Sequence, residues 1–173
     1  MIESEFSRVV DTREADGKHI RLSATEAECA ALAKRFLIVR IDRLEAEVTL
    51  ERSGNRFDAK GTLDADIVQS CAVSAEDLPV KVRETLSFRF VPEAQSHQPD
   101  EEVELDADDL DEVEFTGTSL DVGEAVAQSL ALAIDPFAVG PEAERARQRA
   151  GLLGEGQAGP FAALAALKRD TKE

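Results

Sequence analysis

Two alternating runs on either side of one tight turn constrain this chain more than any other feature. Leu44, Ala46, Val48 and Leu50 alternate with Glu45, Glu47, Thr49 and Glu51. After "SGNR", Phe57, Ala59, Gly61, Leu63, Ala65 and Ile67 alternate with mostly polar residues. Successive side chains of a strand point to opposite faces, so each run carries one apolar face. A two-residue turn at Gly54 and Asn55 pairs Leu50 with Ala59, Val48 with Gly61 and Ala46 with Leu63, which gathers every apolar residue on one side. A three-residue loop would set apolar residues opposite polar ones. Gly-Asn also suits a tight hairpin turn. The pattern therefore predicts a hairpin of Leu44–Arg52 and Arg56–Val68, with Val48, Leu50, Leu63 and Phe88 buried together.

A third alternating run follows. Val80, Val82, Leu86, Phe88 and Phe90 point one way, and Lys81, Arg83, Thr85, Ser87 and Arg89 the other. Glu84 interrupts the apolar line, as at an edge or bulge, and Pro92 ends the run. Upstream, Glu5–Val10 and Lys18–Leu22 read as short strands. Thr25 and Glu28 have capping-box spacing, and Cys29, Leu32, Ala33, Phe36 and Leu37 form one helical stripe. Downstream, "VEFTGTSL" reads as one short strand. Asp121 caps a helix from Val122 to Ile134, with Glu124 at the capping-box position and Pro136 beyond its end. The expected fold is α+β: a mainly antiparallel sheet, barrel-like if it closes, covered by a few helices. Residues 1–138 read as one domain with a mobile acidic insert at 93–111. Residues 139–173 read as a flexible tail with a short helix in "PFAALAALKR".

The net charge is −16, and it is concentrated in one region. Phe90 to Glu144 holds sixteen acidic residues and no Lys or Arg, while the rest carries twenty of each sign. A local block of this kind reads as a tail, loop or contact surface. "MIESEFSRVV" lacks the basic and apolar regions of a secretory signal, and no apolar run reaches membrane-helix length, so the expected compartment is the cytoplasm. Two cysteines make no disulfide framework there.

The same inventory limits the chemistry. A structural zinc site needs about four Cys or His ligands, usually in close pairs. This chain has only Cys29, Cys71, His19 and His97, none of them paired in sequence. Cys71 as a nucleophile would need a base such as His19, which no motif brings near it. It reads as a small, semi-buried thiol at a strand end, and Cys29 as part of the helix core. The run "DEEVELDADDLDE" lacks the ligand order of an EF-hand loop and reads as a solvated stretch. Phosphate-loop, dinucleotide, serine-elbow and paired-His motifs are absent. Basic residues form small clusters only: Lys81, Arg83 and Arg89 on the third strand, and Arg145, Arg147, Arg149, Lys168, Arg169 and Lys172 in the tail. No catalytic, cofactor-binding or metal-ligating residue emerges. The candidate partner contacts are Asp100, Glu101, Glu102, Asp108 and Asp109, with Lys81, Arg83 and Arg89.

"ADIVQSCAVSAEDLPVKVRETLSFRFVPE", an acidic insert, "SLDVGEAVAQSLALAIDPF" and "GPFAALAALK", in that order, resemble the YceD family of large ribosomal RNA subunit accumulation proteins in its alphaproteobacterial form. The resemblance runs from about Ile38 to Lys168. Many relatives have a second cysteine just after the first and more near the C-terminus, in metal-binding arrangements. This chain reads "QSCAVS" and lacks the later cysteines, so that role does not carry over. The resemblance implies a non-enzymatic ribosome-biogenesis factor that supports synthesis, processing or accumulation of large-subunit ribosomal RNA. Its implied partner is a basic ribosomal protein or a pre-ribosomal large-subunit particle, with any RNA contact local or indirect. The alternative is a metal-dependent nucleic-acid-processing enzyme that uses carboxylates between Asp100 and Glu114.

Overall fold

The computed structural model describes residues 4–93 and 111–150. Most of the acidic insert, with Asp100, Glu101, Glu102, Asp108 and Asp109, and the "PFAALAALKR" helix expected near the C-terminus lie outside them. In chain order the elements are β1 (Val9–Asp11), β2 (His19–Ser23), α1 (Glu26–Arg35), β3 (Arg40–Ser53), β4 (Arg56–Ser70), β5 (Asp77–Pro92), β6 (Asp111–Phe115), β7 (Ser119–Asp121), α2 (Val122–Ala133) and α3 (Ala143–Arg149). None of these helices is long and apolar enough to cross a membrane.

The hairpin forms in the register that the alternation requires. Leu50 pairs with Ala59, Val48 with Gly61 and Ala46 with Leu63, and Ser53 faces Arg56 across the turn. Gly54 supplies the positive φ, 68°, that a two-residue turn of the II′ kind needs at its first position. The strands run further than the alternation alone suggested, because the register shifts between Ile41 and Arg43. That bulge resets the parity, so Ile41 and Leu44 both face inward. Gly61 has a steric reason as well: a Cβ there would stand 1.8 Å from the Glu47 carbonyl oxygen.

The main sheet has five strands in the order β2-β3-β4-β5-β6, and β1 pairs with β7 in a separate two-stranded sheet. The main sheet ends at β2 and β6 and does not close into a barrel. β3 pairs antiparallel with both β2 and β4, and β6 runs parallel to β5 from Phe88–Asp111 to Pro92–Phe115. Val48, Leu50, Leu63 and Phe88 lie in one buried cluster. The expected single strand "VEFTGTSL" is instead two strands in different sheets, separated by a turn at Gly117 (φ 68°). At the N-terminus only Val9 and Val10 of the first expected strand, Glu5–Val10, fall in β1, which runs on to Asp11. Phe6, before it, is fully buried as part of the core.

Both helices cover apolar surface, and both begin at designed caps. The Thr25 hydroxyl accepts from Glu28 N while Glu28 bonds back to Thr25 N at 2.7 Å, a complete capping box. α1 ends earlier than its apolar stripe. Ile38 N donates to Ala33 O and Leu37 N to Lys34 O, the paired bonds of a Schellman turn. That turn needs a left-handed residue, so Leu37 adopts φ 57° and is 92% exposed, outside the stripe to which its spacing assigned it. At α2, Asp121 accepts from Glu124 N at 3.1 Å. The Glu124 carboxylate does not complete a box. Ser4 Oγ donates to it at 2.6 Å, and Arg35 forks onto it at 2.7 and 3.0 Å. Arg8 forks in the same way onto Glu28, at 2.7 and 3.0 Å.

By contacts the chain divides into two compact units. One comprises Met1–Gln69 with Pro79–Asp135 and holds the sheets and the first two helices; the other comprises Ser70–Leu78 and the residues from Pro136 onward.

Two outcomes follow from the helix ends. Leu37→Gly should raise stability by about 1 kcal/mol, because glycine takes the left-handed conformation without the Cβ clash and the lost side chain is solvated. A denaturation midpoint that falls would contradict this. The second concerns acid. The Arg8 hydrogen bonds hold Glu28 at a pKa of about 2, and those of Arg35 hold Glu124 at about 2. Both lie below the unfolded value near 4.3, so their stabilisation is full above that pH and is lost as pH falls towards 2. With both carboxylates largely shielded, Glu28→Gln and Glu124→Gln should each remove on the order of 1 kcal/mol at neutral pH and flatten the urea midpoint between pH 4.5 and pH 2.

Candidate functional site

Cys71 follows directly on β4 and opens a tight turn in the smaller unit. Its N–H donates to Glu76 O at 2.8 Å, and its carbonyl accepts from Ala75 N at 3.0 Å. Ala75 has a left-handed φ of 57°. The turn points Ser74 N at the sulfur, 3.4 Å away, and the chain returns after α2 so that Gly140 N reaches Sγ at 3.3 Å. A bond from Ala72 N to Ala138 O at 3.0 Å holds the two segments together. Cys71 is 4% exposed.

Two N–H groups aimed at one sulfur favour its charged form. Donation from Gly140, then from Ser74, lowers the Cys71 pKa to about 6, against an opposing cost of burial. Burial instead pushes the Cys29 thiol up, and the carboxylates around it add to the effect. The expected location of Cys71 at a strand end matches the structure, and the thiol is more deeply buried than the semi-buried one expected; the cradle of N–H groups had no counterpart in the sequence pattern. The cradle consists of backbone donors. Among the described residues no three His, Cys, Asp or Glu side chains converge in a way that could hold a metal ion. His19 belongs to the larger unit, with its Nδ1 3.1 Å from Thr49 Oγ1 on β3.

The basic candidates of the third run lie on the polar face of the main sheet, within a lattice of opposite charges. Arg89 reaches Asp58 at 2.5 Å and Arg83 reaches Asp64 at 3.2 Å. Arg43 bonds Asp66 at 2.8 Å, and Lys81 contributes to the charge field that lowers the Asp66 pKa. Pairing of this kind offsets the positive charge of Arg83 and Arg89 within the sheet surface. On α3, Arg145 and Arg147 likewise meet Glu142 and Glu144, at 2.9 and 3.5 Å. The acidic candidates from Asp100 to Asp109 lie outside the described residues, and the described chain enters β6 directly after them, through Asp111, Glu112 and Glu114.

The family model described as large ribosomal RNA subunit accumulation protein YceD matches residues 59–168, more than half of the chain. The chain belongs to the YceD family. No curated protein and no solved structure matches it. The YceD match starts inside β4 and takes in the Cys71 turn, β5, β6, β7 and all of α2 and α3. Of the strands before it, β2 and β3 belong to the main sheet with β4, and β1 pairs with β7 of the matched segment.

The cradle gives Cys71 a measurable signature. In a Cys29→Ser chain, the ultraviolet absorbance of the thiolate should rise with a midpoint near pH 6, well below the ordinary value of about 8.5. The folded-state pKa lies below the unfolded one, so the cradle contributes stability that is full above about pH 8.5 and is lost as pH falls through 6. Cys71→Ser should remove that slope from a series of denaturation midpoints. A thiolate midpoint above pH 8 would show that the two N–H groups do not hold the anion.

Proposed function

We propose that this protein is a non-enzymatic factor in ribosome biogenesis that supports the accumulation of large-subunit ribosomal RNA by engaging a basic ribosomal protein or a pre-ribosomal particle. Membership of the YceD family carries the ribosomal part of this reading. The charge distribution supports the kind of partner. All of the net −16 falls between Phe90 and Glu144, and Arg83 and Arg89 on β5 already face carboxylates. A surface of this kind attracts a basic protein by Coulomb forces and can shield it from non-specific RNA contact, whereas bare RNA would be repelled. The Cys71 cradle is built from backbone donors, and it serves as a structural thiolate in this reading.

The test is depletion of the protein followed by measurement of the ratio of large- to small-subunit ribosomal RNA. That ratio should fall, and both the wild-type chain and Cys71→Ser should restore it. An unchanged ratio would overturn the reading, and loss of rescue by a folded Cys71→Ser chain would point to thiol chemistry instead. For the acidic segment, neutralising Asp100, Glu101, Glu102, Asp108 and Asp109 together should slow association with the ribosomal partner about tenfold at low salt, with a smaller change in dissociation. Equal rates and an unchanged salt dependence would remove the segment from the contact.

A further inference from the structure

β5 is sixteen residues long, but β6 is five and pairs only with Phe88–Pro92. On its other side β5 is flanked by β4, and the ion pairs from Asp58 to Arg89 and from Asp64 to Arg83 step along the two strands in opposite directions. Among the described residues, Val80–Ser87 therefore has no strand beside it on the β6 side. In a strand without a neighbour on one side, alternate N–H and C=O groups point outward and can pair with another extended chain.

A groove of about 540 Å³ runs beside this edge, between β5, β6 and α2. Leu86 and Phe88 form its buried floor. Leu132 stands on the α2 side and is 82% exposed. Glu84 lies between Val82 and Leu86 on the inward-facing parity of β5, yet it is exposed at the groove. Asp111 and Glu112 add negative charge on the β6 side, and no Lys or Arg is among the residues lining the groove. An inward-pointing charge commonly protects a sheet edge from indiscriminate pairing. Here the same charge also selects. An incoming strand that offers only apolar residues would bury Glu84 without a partner, which is costly, while a strand with a cation at that position would neutralise it.

We propose that the Val80–Ser87 edge and this groove receive an extended segment of a basic protein partner by strand addition. One apolar side chain of the segment packs against Leu132 over Leu86, and a Lys or Arg sits beside Glu84 and Asp111. Main-chain pairing supplies affinity, and the alternating pockets supply specificity. The binding stands on the groove itself; its bearing on ribosomal RNA rests on the function proposed above.

The experiment uses the full chain and a fluorescent peptide of alternating Lys and Val, with the Glu and Val version as control. The Lys peptide should bind and the Glu peptide should not. Glu84→Lys and Leu132→Asp should each weaken binding about tenfold or more, while Glu51→Lys, the same charge change on exposed β3, should leave it within about twofold. Both groove positions are exposed, and denaturation midpoints check that the variants fold; Glu84→Gln replaces Glu84→Lys if they do not. Amide exchange at alternate residues of Val80–Ser87 should slow on binding. Equal losses from Glu84→Lys and Glu51→Lys would mean diffuse attraction and overturn the proposal. Slow exchange along Val80–Ser87 in the free protein would mean that the edge is already covered by the same chain, and would overturn it too. In depleted cells, the Glu84→Lys, Leu132→Asp double variant should fail to restore large-subunit RNA. Full rescue by the double variant sinks only this inference, whereas an unchanged ratio on depletion sinks the function itself.

Discussion

The common inward face of β3 and β4 is the constraint on which the rest of this structure depends. Because Leu50, Val48 and Ala46 meet Ala59, Gly61 and Leu63, a single apolar sheet surface exists for α1, α2 and the N-terminal Phe6 to cover. A slip of one residue would turn that surface to water, and neither helix would have anything to pack on. Gly61 tightens the choice. Its missing side chain lets the Glu47 carbonyl come close, which a larger residue at that step of the ladder would prevent. The bulge near Asp42 extends the same face to Ile41 without breaking the alternation beyond it.

The second layer of organisation is electrostatic and joins segments far apart in the chain. Glu28 and Glu124 occupy the same position, three residues after the cap, in α1 and α2, where carboxylates also favour the positive end of the helix dipole. Each is gripped by an arginine: Arg8 from the N-terminal segment holds α1, and Arg35 from the end of α1 holds α2. Arg35 also reaches Glu5 at 3.0 Å, and Asp121 accepts from both Ser7 and Arg8 N. The N-terminal segment thus acts as a clasp across the starts of two helices. Gly123 lies under the clasp, where a Cβ would stand 2.3 Å from the Phe6 carbonyl oxygen.

The distribution of charge connects this architecture to the proposed function. On the polar sheet face, charges of both signs cancel in cross-strand pairs, so that face is well solvated but offers little net field. In the sequence the uncancelled charge lies between Phe90 and Glu144, and among the described residues β6 pairs with β5 only from Phe88 to Pro92. The proposed basic, extended partner is the kind that an acidic groove with a small apolar floor would attract.

Local periodicity settled the hairpin, the third strand, the cap at Thr25 and the start of α2, because each depends on neighbours a few residues apart and on which side of a strand or helix faces water. It also made clear that Cys71 ends a strand and that the net charge is local. Tertiary structure decided everything that depends on distant partners. Leu37 fits the helical stripe by spacing, but a Schellman turn requires a left-handed residue there and sends it into solvent. "VEFTGTSL" reads as one strand, yet its halves pair with β5 and β1 in different sheets, since strand pairing is set by whichever backbone lies alongside. The depressed pKa of Cys71 depends on the N–H of Gly140, sixty-nine residues away, and a backbone donor leaves no mark in the pattern of side chains. That no described strand pairs with Val80–Ser87 on the β6 side was invisible for the same reason. Alternation shows which way a strand's side chains point, but hydrogen bonding across the sheet is the only thing that determines whether its edge has a neighbour.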